Sequence, residues 1–213
     1  MRITGGRWRS RALEAPRGMG TRPTSDRVRE ALFSMLVADG HLGVAVEGAG
    51  PRVLDLFAGS GALAFEALSR GASAAVLVEQ GRDAVVAIRA NARALEADRL
   101  VQVIPGKVER SLDKLGGPTF PSPRGRGGPF GVVFVDPPYD YVRERSFAGL
   151  LARAGALVVP GGALVLEHAS TDMPPAVDAL LLDRSRKHGD TTLTLYVRSP
   201  NPAPDEDPGR GAL

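Results

Sequence analysis

From Arg52 onward the chain alternates short apolar runs with longer amphipathic ones. "RVLDLF" (52–57), "AAVLVEQ" (74–80), "VQVIPG" (101–106), "GVVFVDPP" (131–138) and "GALVLEH" (162–168) have the length and β-branched content of buried strands. Between them, "GALAFEALSRG" (61–71), "RDAVVAIRANARALEA" (82–97) and "VERSLDKL" (108–115) carry apolar residues at helical spacing. Gly71 closes the first of these helices, and a further helix is predicted from about Arg143 to Ala154. Strands alternating with helices predict an α/β, doubly wound, Rossmann-like sheet, mostly parallel. The chain closes differently. "ALLLDRSRKHG" and "TTLTLYVRS" meet at Gly189-Asp190, a hairpin signal, so the sheet should end in an antiparallel pair.

Upstream, residues 1–25 read as extended or irregular, punctuated by Gly5, Gly6, Gly18, Gly20 and Pro23. A helix follows in "TSDRVREALFSMLV" (24–37), with Thr24, Ser25 or Asp26 as its N-cap. Val28, Ala31, Leu32, Met35 and Leu36 form its apolar stripe, and Arg27, Arg29 and Glu30 lie off it. A Gly-rich loop covers about 39–51. "GGPTFPSPRGRGGPFG" (116–131) reads as a Gly/Pro surface loop, and the stretch from Ser199 as a disordered tail. The expected organisation is a small basic extension over 1–38, one domain over 39–198 and the tail over 199–213.

Charge is unevenly placed. The first 29 residues hold eight arginines against Glu14 and Asp26, a net of +6, while the whole chain carries +3, which leaves −3 for the remainder. A basic arm on a nearly neutral body suggests a polyanion partner; the plainer reading is a solvated, Arg-rich terminus. The 43% hydrophobic content argues against global disorder. No apolar run approaches a membrane span, and no apolar stretch follows the basic start, so neither a membrane segment nor a secretory signal is expected. With no cysteine, disulfides and Cys-based zinc sites are excluded, and a cytoplasmic location is expected.

"DLFAGSGALAF" sets glycines between a strand and a helix, where the backbone must turn sharply and approach a ligand. Gly59, Gly61 and Ala64 match a dinucleotide-binding spacing. Glu79, twenty residues after Gly59, ends the next strand and can accept both hydrogen bonds from a ribose diol. These residues leave a nicotinamide dinucleotide and S-adenosylmethionine (SAM) both open. Asp55 favours SAM in part. A carboxylate there suits an ammonium group and repels a pyrophosphate, although it could simply cap the turn. The candidate cofactor set is Asp55, Phe57, Ala58, Gly59, Ser60, Gly61, Glu79, Gln80, Lys107 and Val108, with Lys107 acting through its backbone.

"VDPPY" ends a buried-looking strand in an acid, two prolines and an aromatic. Prolines stop strands, and the rigid turn can also hold acceptors around a planar amine. "DLFAGSG" with "DPPY" resembles SAM-dependent methyltransferases of exocyclic base amines. "MRITGGRWRSRALEAP", "TRPTSDRVREALFSML" and "KHGDTTLTLY" extend the resemblance, over roughly residues 1–198, to the bacterial family that methylates N2 of a guanine in 16S ribosomal RNA. That family's connection before the fourth strand is often shorter than 116–131. The resemblance implies a cytoplasmic, monomeric enzyme using SAM, releasing S-adenosylhomocysteine, needing no metal and acting on 16S rRNA in a partly or fully assembled small subunit. Asp136, Pro137, Pro138 and Tyr139 would form the catalytic turn. Asp136 and the Pro137 carbonyl would accept the amine's N–H groups, and Tyr139 would stack on the base. Arg7, Arg9, Arg11, Arg22, Thr24, Asp26, Arg27 and Arg29 would bind RNA. Trp8 could stack on a base, but anchoring the arm is the favoured reading. His41, His168 and His188 read as structural or solvated. Rival readings are a DNA or RNA adenine-N6 or cytosine-N4 methyltransferase, an NAD-dependent oxidoreductase and a non-catalytic RNA-binding module. Asp55 disfavours the oxidoreductase, and the acid-proline turn disfavours the binding module.

Overall fold

The computed structural model describes residues 1–16, 25–43, 49–115, 130–178 and 180–200. Arg22, Thr24, the stretch 116–129 and the tail beyond Pro200 lie outside the described residues. One sheet organises the chain. Its strands are β1 (Arg52–Leu56), β2 (Ala74–Glu79), β3 (Val101–Pro105), β4 (Phe130–Val135), β5 (Val158–Ala169), β6 (Leu180–His188) and β7 (Thr191–Arg198), in the order β3-β2-β1-β4-β5-β7-β6. The first five are parallel, and β7 joins β5 antiparallel with β6 outside it. The mostly parallel sheet with its antiparallel closing hairpin is as the sequence pattern predicts.

Helices cover both faces. One core layer joins the sheet to α1 (Asp26–Ala38), α2 (Ala62–Ser69) and α3 (Arg82–Ala94). The other joins it to α4 (Val108–Leu115) and α6 (Phe147–Ala156). β2 is buried along its whole length, which is why its sequence is apolar from Ala74 to Val78 and does not alternate.

Three local expectations are corrected. Phe130 and Gly131 belong to β4 and not to the loop: the Phe130 amide donates to Leu157 O at 2.6 Å, and its ring is fully buried. The helix expected over about 143–154 is α6 (Phe147–Ala156), shifted toward the carboxyl end, and a short unexpected helix precedes it. A one-turn α5 (Tyr139–Val142) follows the prolines, and α6 starts only at buried Phe147, after the polar stretch Arg143–Ser146. β5 begins at Val158, before Gly161, which adopts φ +75°.

The amino-terminal segment differs most. Expected as extended or irregular, its described residues fold back as a loose hairpin closed by one bridge, Arg2 to Ala12, with Ile3 N donating to Arg11 O at 2.9 Å. Ile3 and Leu13 are buried in the same core layer as α1 and α2, and Trp8 packs against it, which fits anchoring. The hairpin is held by Glu66 on α2, whose side chain has no exposed surface. Glu66 accepts from Thr4 N (2.8 Å), Thr4 Oγ1 (2.7 Å), Gly5 N (2.9 Å) and Arg70 Nε (2.9 Å), and pairs with Arg29 at 3.5 Å.

Arg29 is therefore not a phosphate contact. It is 1% exposed and donates to the Arg2 carbonyl and to Asp26 Oδ1 (2.8 Å). The buried stripe of α1 is Arg29, Leu32, Phe33 and Leu36, rotated from the expected one because an acid on α2 neutralises the arginine. Ser25 caps the helix, accepting from Val28 N. Arg7, Arg9 and Arg11 lie around the hairpin turn, where the Arg7 amide donates to Ser69 O at 2.9 Å. Ser69 ends α2, next to the amino ends of the strands, so this turn lies away from their carboxyl ends. Arg11 donates to Ala94 O at the close of α3, and the Arg7 guanidinium lies 4.1 Å over the Trp8 ring.

The described residues of the basic arm are therefore packed into the body. Glu66→Ala should lower stability by about 3–5 kcal/mol, because it leaves Arg29 buried without its partner. Arg9→Ala, on the exposed turn, should stay within about 0.5 kcal/mol. Urea unfolding of the two variants checks the contrast.

Candidate active site

In a parallel sheet the carboxyl ends of the strands share one edge. Here that edge carries Asp55 from β1 and Phe57 just past it, Glu79 from β2 and Asp136 just past β4. The Asp136 amide faces Leu56 O at 3.5 Å, so the acid-proline turn adjoins the glycine loop.

The loop is built by hydrogen bonds. Ala58 N donates to Val78 O (3.0 Å) and Gly61 N to Ala58 O (2.7 Å). The Glu79 carboxylate accepts from Gly59 N (2.8 Å) and Gly81 N (2.6 Å), leaving each oxygen a further lone pair. Gly61 caps α2 at φ +78°, and a Cβ there would come within 2.7 Å of Phe65. A Cβ added at Gly59, which holds φ +55°, would meet nothing within 4 Å, so the turn opens there onto a free cradle. Phe57 holds φ +63°, a strained conformation for a bulky residue and typical of ligand-binding positions. Asn91 on α3 donates to Ser60 O and to Glu14 O, both at 3.0 Å, and Ser60 Oγ donates to the Met1 sulfur at 3.2 Å.

Asp55 uses its two carboxylate oxygens differently. Its Oδ2 accepts from Ala64 N at 3.1 Å, in the first turn of α2. Its Oδ1 is buried with no hydrogen-bond partner among the described residues. Burial pushes this carboxyl up to about 7, with the charge of Glu79 adding to the rise and the Ala64 bond opposing it. An unpaired, buried carboxylate oxygen fits an ammonium group.

Of the remaining candidates, Gln80 and Lys107 are exposed, and the Lys107 carbonyl accepts from Ser111 N and Oγ. Val108 is buried and opens α4, so its amide is one of the free N–H groups of a helix start. Among the described residues no donor reaches the buried Pro137 carbonyl, whereas that of Pro138 accepts from Tyr141 N at 2.9 Å. Tyr139 is 40% exposed, and its hydroxyl lies 2.5 Å from Thr191 Oγ1. Arg27 is exposed in the first turn of α1.

Two residues on this edge escaped the sequence reading. Tyr141 donates to Glu109 on α4, and its ring meets Phe57 edge-on at 5.4 Å, tying the strained loop residue to the acid-proline turn. "DPPYDY" offered a signal for it, a second tyrosine two residues on. Glu167 on β5 is buried. The register places it one step past the Val135–Leu166 pair, level with Asp136 and on the same sheet face. No spacing rule marks that position, because the relation exists only across strands. His168 is structural, bonded to Ala169 O and Thr194 Oγ1 at 2.9 Å each.

The family of conserved hypothetical protein 95 matches residues 1–197. The Escherichia coli K12 protein named ribosomal RNA small subunit methyltransferase D is 33% identical, covering 97% of this chain and 94% of that protein. The protein of the same name from Haemophilus influenzae is also 33% identical, over 82% of this chain and 81% of its own length. The solved structure of a hypothetical protein from Thermus thermophilus is 34% identical, with a TM-score of 0.73 over 92% of this chain and 98% of that one. With a family match along nearly its full length, and relatives of this identity and coverage, the chain belongs to the conserved hypothetical protein 95 family, that of the ribosomal RNA small subunit methyltransferase D proteins.

Proposed function

We propose that the protein transfers a methyl group from SAM to the exocyclic N2 amine of a guanine in 16S rRNA. The observation that carries this reading is the junction of two sites at one edge: the open glycine cradle with its unpaired buried carboxylate oxygen, and the Asp136–Pro137 turn packed against its rim. The relatives' shared name supplies the rRNA.

SAM, when bound, supplies an electrophilic methyl on a sulfonium. The chain's own residues do the rest. Asp55 Oδ1 pairs with the ammonium group, Gly59 lets the backbone approach, and Glu79 accepts from the ribose hydroxyls. Lys107 and Val108 offer backbone to the adenine. On the substrate side the amine is a weak nucleophile, because its lone pair is delocalised into the ring. Asp136 and the Pro137 carbonyl accept its N–H bonds, hold it in line and stabilise the positive charge that develops. Two successive prolines fix these acceptors in advance. Tyr139 stacks on the base, which must be unpaired or extruded to reach the turn. Arg27, exposed in the first turn of α1, contacts backbone phosphate. Assay of the purified protein on 16S rRNA, with nucleoside analysis of the product, tests the reading. N2-methylguanosine supports it; N6-methyladenosine or N4-methylcytidine rejects it.

Asp55 gives the cofactor site a pH dependence. Its carboxyl titrates near 7 in the fold and at 3.8 when unperturbed. Between those values the unliganded fold binds the extra proton, so stability falls as pH rises through this window. An ammonium ligand favours the ionised form. SAM affinity should therefore rise with pH up to about 7, approaching tenfold per unit below it, with a proton released on binding. Asp55→Asn keeps the cap acceptor and should flatten the profile, read by calorimetry in buffers of different ionisation enthalpy.

Asp136→Ala should fold, bind SAM and lose about 10²–10³ in methyl-transfer rate, or roughly 3–4 kcal/mol of transition-state stabilisation. Single-turnover rates at saturating SAM check this. A rate within a few-fold of the unmodified protein would make the turn a strand terminator and nothing more.

A further inference from the structure

The β6–β7 hairpin stands higher than the strand that carries the catalytic turn. β4 ends at Val135, level with Leu166 of β5. β5 continues for three residues to Ala169, which pairs with Thr191, and β6 ends beside it with His188. Three residues of extended chain rise about 10 Å. The hairpin thus forms a ledge beside the acid-proline turn, at the edge where the cofactor and base candidates meet. Two bonds fix the ledge there: Tyr139 OH to Thr191 Oγ1 at 2.5 Å, and Ser170 N to Asp190 O at 2.8 Å.

The charge on this ledge is graded. Lower on β6, Leu181 and Leu182 are exposed and apolar, and Arg184 is neutralised by Asp183 (2.6 Å) and Asp39 (3.3 Å). At the top, Arg186 and Lys187 are exposed and have no acidic partner among the described residues. Arg186 pairs with Leu193, a residue of the core layer beneath α1, so it shares the sheet face of α1. Its strand is three strand spacings from β4, about 14 Å. Charges that merely discourage edge-to-edge aggregation serve anywhere along an edge strand. Here the unpaired cations sit only at the end nearest the site.

We infer that this hairpin is a second substrate wall: Thr191 positions Tyr139, and Arg186 and Lys187 hold phosphates of the RNA strand flanking the target base. The inference rests on the RNA-methylation reading above. Phosphate contacts of this kind set register and affinity without reading sequence, and the Tyr139 hydroxyl bond fixes the ring on which the base stacks.

The test uses the full chain and small-subunit particles from a strain lacking this protein. Arg186→Glu with Lys187→Glu should raise KM for the particles at least tenfold and lower the salt-dependence slope of binding by about two, one per lost phosphate contact. SAM affinity and the unfolding midpoint should not move. Arg99→Glu with Lys114→Glu, the same charge change near the amino ends of the strands, should leave KM within about twofold. Thr191→Val should lower kcat several-fold with KM little changed, and Thr191→Ser should restore it. An unaltered KM and salt slope in the Arg186/Lys187 variant overturns the wall, as does an equal KM rise in the Arg99/Lys114 control. If the unmodified protein methylates no RNA, the parent reading fails instead, and that result is visible before any variant is made.

Discussion

A carboxylate with no exposed surface organises the amino-terminal half of this molecule. Glu66 sits mid-way along α2 and cannot be left unsatisfied, since a buried unpaired charge costs several kcal/mol. Its partners come from three separate places: the amides and hydroxyl of Thr4 and Gly5, Arg29 of α1, and Arg70 at the end of α2 itself. The hairpin, the first helix and the glycine-loop helix are thereby fixed relative to one another. The described part of the basic segment is a structural part of the sheet's core, and its described arginines divide into those that build the fold and those that face solvent.

The carboxyl edge of the sheet imposes the second constraint. Because β1, β2 and β4 are parallel neighbours, Asp55, Glu79 and Asp136 arrive at one edge without any loop having to place them. Loops then refine the positions. Glu79 grips the glycine turn, Tyr141 braces strained Phe57, and Asn91 ties the turn to Glu14. Each of these tethers fixes backbone, so the acceptors are set before any ligand arrives.

Much of this was legible in the sequence. Strand runs, Gly-centred turns and the closing hairpin carry local signals, and the glycine loop with its two acids has a fixed spacing along the chain. What was illegible depends on pairing across distance. Arg29 reads as a surface cation because periodicity counts it as polar, and only the acid on α2 makes it a core residue. Residues 1–13 lack a clear alternating pattern, yet Ile3 and Leu13 are buried because buried polar groups on α2 and α3 hold their backbone. Glu167 becomes notable only once the β4–β5 register sets it level with Asp136. The difference between the two Asp55 oxygens is likewise a matter of geometry: one caps α2, and the other is buried with no hydrogen-bond partner among the described residues.

The strand order also governs how the sheet can be completed. β6 precedes β7 in the chain but lies outside it, and among the described residues its sole neighbour in the sheet is β7. β6 therefore has nowhere to dock as it emerges during synthesis, and the free edge of β5 stays open until residues up to Arg198 are available. β6 can join the sheet only through β7, so closing the apolar β5 edge waits for β7. Until that step the nascent chain exposes β5 backbone that could pair with another molecule, and Tyr139 has no hydroxyl partner in Thr191. Completion of the sheet and completion of the proposed base-binding turn are therefore the same folding event.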